Sequence, residues 1–172
     1  MANLKHIFDE VIEDKIRTIP GKADLIKTAR DRGRLLAVRG TYDYVEQVVP
    51  HCYAAEKKII QPGPSPPNLA DYDVVFVGCP GSLTGGNWRK PLTAFVEAGG
   101  VLLTTDWCLE NLIEKTFPKT IAKRGTAQGT FPLRVRMPGH PLLEGIPKCS
   151  GTPWVVKGRR IALASSTRSA CS

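Results

Sequence analysis

Apolar residues recur along this chain with two different periods. Leu4, Ile7, Phe8, Val11 and Ile12 fall at i, i+3, i+4, i+7 and i+8. That spacing puts one apolar stripe on a helix over residues 3–17. Pro20 and Gly21 break it, and a second, shorter helix is expected from Lys22 to Asp31, ending at Gly33. Beyond this point the apolar runs shorten to strand length. Leu35-Leu-Ala-Val38, Lys58-Ile-Ile-Gln61, Val74-Val-Phe-Val77 and Val101-Leu-Leu-Thr104 are each bounded by Gly, Pro or polar residues. Such runs read as buried parallel strands that feed loops at their carboxyl ends.

Helical faces separate the strands. Val45, Val48, Val49 and Cys52 mark one, and Leu92, Phe95 and Val96 a second that stops at Gly99-Gly100. Leu109, Leu112 and Ile113 mark a third, stopped near Pro118. Pro62-Gly-Pro-Ser-Pro-Pro67 can be neither helix nor central strand, and is a stiff connector too short to divide domains. Phe131–Arg136 alternates like an edge strand, and Arg160–Ala164 offers a last one. Alternation of this kind predicts an α/β flavodoxin-like three-layer sandwich with a mostly parallel sheet and an amino-terminal helical extension. One domain is expected over residues 1–172, with the helical segment at 1–33 and the α/β part at 34–172. In the strand order 2-1-3-4-5 the switch point lies between the first and third strands, so the loops at Gly40–Tyr44 and Cys79–Trp88 should line one crevice.

Composition narrows the class further. Among 172 residues there is no apolar run approaching a membrane span of roughly 20 residues. The amino terminus leads into an acidic amphipathic stretch instead of a charged-then-apolar signal, so a cytoplasmic protein without membrane contact is expected. Five cysteines are scattered with no Cys-x-x-Cys pair, which suggests neither a disulfide framework nor a metal site. The net charge of +8 is concentrated in the last third, where eleven basic side chains stand against four acidic ones. No aromatic–basic interleaving accompanies it, and a solvated basic surface is expected in place of a nucleic-acid interface. No cofactor fingerprint is present: Gly81-Ser-Leu-Thr-Gly-Gly86 matches neither the P-loop nor the dinucleotide motif. Its backbone N–H groups still leave open a phosphate cradle beside the reading as a plain turn-rich loop.

Asp73-Val-Val-Phe-Val-Gly-Cys-Pro-Gly-Ser82 resembles the strand and glycine loop of the class I glutamine amidotransferase-like superfamily. In that family the next strand ends in a nucleophilic cysteine on a sharp turn into a helix. The matching run here is Val101-Leu-Leu-Thr-Thr-Asp-Trp-Cys-Leu-Glu110, and the turn falls on or within one residue of Asp106. Gly139-His-Pro-Leu-Leu-Glu-Gly145 is similar to a segment of non-amidotransferase members, including trehalose-utilisation-type proteins. The resemblance spans about residues 34–146, and it implies a chain shortened at its carboxyl end, where Lys157–Ser172 is Arg/Ser-rich for a core strand.

Glutamine hydrolysis needs a thiolate, a base and oxyanion donors, and Asp106 does not replace the thiolate. The expected function is therefore a non-catalytic module that binds a small polar ligand or a protein partner in the crevice. Gly40, Thr41, Tyr42, Gly81, Ser82 and Trp107 would line it. The alternative is a hydrolase using Cys79 or Asp106. Cys79 reads either as a packed thiol or as one activated by the amino terminus of the helix near Trp88. Asp106 reads either as a helix amino-cap or as a functional carboxylate. Cys108, two residues on, reads as a buried apolar residue. His140, followed by Pro141 and near Glu144, is the histidine that could join Cys79. Residues 3–17 are expected to dock, on the chain's own sheet or on a second copy in a homodimer.

Overall fold

The computed structural model describes residues 4–49, 54–83, 86–118, 120–133 and 154–165. Two compact units divide the chain, one comprising Met1–Ala122 with Ser165–Ser172, the other Lys123–Ala164.

Helix α1 (Leu4–Thr18) and helix α2 (Lys22–Arg32) come first and pack on each other. Strand β1 (Arg34–Val38) follows, then the single turn α3 (Val45–Val48) and strand β2 (Glu56–Ile60). A 3-10 turn at Leu69–Asp71 leads into β3 (Val74–Val77), helix α4 (Arg89–Glu97) and β4 (Val101–Thr104). These four strands form an all-parallel sheet in the order β2-β1-β3-β4, the flavodoxin-like order predicted from the alternation.

Central position explains the composition of β1. Leu35, Leu36, Ala37 and Val38 are all buried, because both faces of this strand are covered. Leu36 and Val38 join Val75, Val77, Leu92, Phe95, Cys108 and Leu112 on one side. Leu35 and Ala37 meet Val45 and Val49 on the other, with Val74 and Phe76 against them. Three layers result. Trp88, also in the first cluster, donates its indole N–H to the Gly63 carbonyl at 2.8 Å and so ties the proline-rich connector to the core.

Boundaries depart from the apolar pattern where that pattern has nothing to report. Strand β2 begins at Glu56, two residues before the expected start, since this edge strand is exposed along most of its length and imposes no apolar face. The helix expected after Asp106 is instead a π-helical turn (Leu109–Ile113) running into the short α5 (Glu114–Thr116). The last strands are longer than the alternation suggests: β5 covers Ile121–Leu133 and β6 Trp154–Ser165, paired as a two-stranded sheet. Glycines inside both (Gly125, Gly129 and Gly158) interrupt the side-chain alternation without ending the extended backbone. Among the described residues no helix is long and apolar enough to cross a membrane.

Candidate functional site

Three parallel strands deliver their carboxyl ends to one place. The loop after β1 is held by the loop after β3, as the Thr41 and Tyr42 amides donate to the Cys79 carbonyl at 2.6 and 3.2 Å. Asp43 completes the join. Its Oδ2 accepts the Cys79 amide at 2.8 Å and the Thr105 hydroxyl, so one carboxylate fastens the ends of β1, β3 and β4. Close approach is possible because residue 40 lacks a side chain: a Cβ there would overlap the Asp43 carboxylate and the Cys79 carbonyl. The other Asp43 oxygen is buried without a hydrogen-bond partner among the described residues. Asp43 is thus a brace within the site. Its place in the Gly40–Tyr44 loop was expected but its role was not; a polar residue just past a fully buried strand was the available signal.

Asp106 stands on the turn that follows β4. Its φ is +40°, and it is the only non-glycine residue with positive φ among those described. Left-handed backbone disfavours a residue with a Cβ, and such outliers cluster at functional sites. The exposed Asp106 carboxylate meets the Cys79 thiol, which donates to Oδ2 at 3.9 Å. No side-chain cap bond forms at the helix that follows, whose capping position is Cys108. The amino-cap reading of Asp106 is therefore corrected: the residue sits outside the extended backbone that a cap requires.

Neither thiol in the site is activated. Burial pushes the Cys79 thiol up, and the Asp106 and Asp43 carboxylates add to the rise, while the Trp107 amide opposes it. Of the two readings of Cys79, this geometry favours the packed thiol over one activated by the helix near Trp88. Cys108 is fully buried, its thiol donating to the Val77 and Gly78 carbonyls at 3.5 and 3.3 Å. Burial raises its pKa to about 11. Its reading as a packed, apolar-like residue agrees with this geometry. Gly81, at φ +72°, lies directly on Cys108.

The remaining candidates divide. Gly40, Thr41, Cys79, Asp106 and Trp107 belong to this junction by the bonds just described, with Tyr42 exposed beside Thr41. Ser82 lies on the far side of Gly81, in a cavity of about 160 Å³ reached also by Arg89, Asn111 and Lys115. Asn111 connects the two places, its amide donating to the Pro80 carbonyl at 2.9 Å. The π-helical turn carries Asn111, and widened turns of this type recur at functional sites. His140, with Glu144, lies outside the described residues, as do His51 and Cys52. His6 is on α1, 3.4 Å from Glu10.

A larger cavity of about 520 Å³ opens at the amino ends of the strands, lined by Tyr72, Phe95, Arg34 and Asp73 among others. Its charged groups are spent on each other, since Arg34 and Asp73 pair at 2.9 Å. Size alone favours it, but strained backbone and converging polar groups favour the carboxyl end. Among the described residues no cluster of metal-ligating side chains occurs. Comparisons with known protein families, curated proteins and solved structures find no match for this chain.

Proposed function

We propose that this chain is a binding module similar to class I glutamine amidotransferases but without their nucleophilic cysteine, taking a small polar ligand at the carboxyl ends of β1, β3 and β4. The observation that carries the reading is Asp106. It stands on a left-handed turn, on or within one residue of the position that the resemblance aligns with the family's cysteine, and its carboxylate is exposed. An exposed carboxylate beside the Thr41 and Tyr42 loop suits a ligand with hydroxyl or ammonium donors. The cysteines are poor substitutes for that nucleophile, since both are buried and burial pushes both thiols up.

Alkylation tests this directly. Iodoacetamide near neutral pH should leave Cys79 and Cys108 unmodified in the folded protein and label both after denaturation. Rapid labelling of native Cys79 overturns the module and favours thiol chemistry.

A second reading is supported by the same backbone strain. Asp106 on a sharp strand-to-helix turn, followed by the Trp107 amide, has the placement of a carboxylate nucleophile in a hydrolase. Hydrolysis of p-nitrophenyl acetate that survives Cys79→Ala and vanishes in Asp106→Asn would favour the enzyme. A rate equal to buffer alone supports the module. A protein partner at the crevice or along α1 is the remaining alternative to the small ligand.

A further inference from the structure

We infer that the cavity behind the glycine loop is an anion site for a phosphate-sized dianionic group, formed by Arg89 and Lys115 with Ser82 and Asn111. The inference rests on the binding reading above and names the chemistry of its neighbouring compartment. Four features of the wall carry it. Its charged side chains are both cationic and come from different segments, Arg89 opening α4 and Lys115 within α5, and no carboxylate lines it. Neither cation makes an ion pair among the described residues, whereas Arg17, Arg34 and Arg39 each have a carboxylate within 4 Å. Ser82 and Asn111 add neutral hydrogen-bonding groups, and Asn111 is already oriented by its bond to the Pro80 carbonyl. Trp88 and Leu112, both buried, give the cavity a rigid apolar floor.

Size and charge then select the ligand. At about 30 Å³ per water, 160 Å³ holds roughly five water molecules, enough for one tetrahedral oxyanion with part of its hydration. Two cations favour a dianion over a carboxylate, and Arg89 can present paired donors to two oxygens. The glycine loop separates this basic cavity from the acidic junction at Asp43 and Asp106. A single ligand carrying a phosphate at one end and hydroxyls or an amine at the other would match both.

Isothermal titration of the full chain with inorganic phosphate, at constant ionic strength made up with chloride, tests the site. Saturable binding is expected, weakened about tenfold or more in Arg89→Gln/Lys115→Gln. Circular dichroism of the double variant should match the parent; if it does not, the two single substitutions, both at exposed side chains, are titrated instead and each should weaken binding. Acetate should bind at least about tenfold more weakly than phosphate. No saturable phosphate binding, unchanged affinity in the folded variants, or acetate binding equal to phosphate each overturns the site. Rapid alkylation of native Cys79 would overturn the crevice reading while leaving phosphate titration intact, so a failure of that reading and a failure of the anion site give different results.

Discussion

A methyl group on Gly81 would stand 2.9 Å from the Cys108 sulfur and 3.1 Å from its Cα, in a backbone conformation that already disfavours side chains. Gly81→Ala should therefore lose roughly 2–4 kcal/mol of stability, combining left-handed strain with overpacking. Gly99→Ala, left-handed but in open space, should lose only about 1–2 kcal/mol. Equal losses in denaturant titrations would show that the loop does not rest on Cys108. Asp106 offers the opposite case. Asp106→Gly removes the penalty of a side chain at φ +40° and should gain about 1 kcal/mol. An Asp106→Gly protein no more stable than the parent would remove the strain on which the functional reading depends. Strain of this kind is invisible in sequence: Asp106 reads there either as a helix cap or as a functional carboxylate, and the backbone angle is what separates the two.

At the scale of elements, β1 and β3 are clamped at their starts. Arg34 and Asp73 share two side-chain hydrogen bonds, and the Arg34 amide adds a third to the same carboxylate. These contacts hold the Asp73 carboxyl below its ordinary range, the Arg34 side chain contributing most. A depressed carboxylate stabilises the fold above its unfolded pKa, and that stability is lost as pH falls through the folded value. Asp73→Asn should accordingly lower the melting temperature modestly near neutrality, the pair being largely exposed, and the difference from the parent should close as pH falls below about 4. Much of this element pattern was legible beforehand. Strands buried on both faces, such as Leu35–Val38, announce themselves as apolar runs, and their order follows from the intervening helices. Edge strand β2 and the long β5 and β6 were not delimited, because exposed or glycine-interrupted strands carry no apolar signature. The junction at Asp43 was hidden for a related reason. Contacts among Thr105, Cys79 and Asp43 are set by strand order in space, which no local spacing encodes.

For the molecule as a whole, the amino-terminal helices pose the open energetic question. Ile12 of α1 and Ile26 of α2 are buried, while Val11, Ile16 and Leu25 remain exposed. We propose that this exposed apolar edge docks, on another part of the chain or on a second copy. Deleting residues 1–20 separates the cases by light scattering and thermal melting. A stable monomer from a former dimer indicates the subunit role, and an insoluble or molten product the internal one. Unchanged mass and melting temperature would eliminate docking altogether. The sheet itself has a consequence for how the chain is made. Because Leu35 pairs with Val74 and Arg34 with Glu56, the central strand has no hydrogen-bonding neighbour close in sequence. During synthesis β1 cannot complete its pairing, nor the core on its Leu36 and Val38 face, until β3 has left the ribosome. Loop closure then precedes any gain from pairing, which makes this a slow-folding topology and its nascent chain a natural client for chaperones.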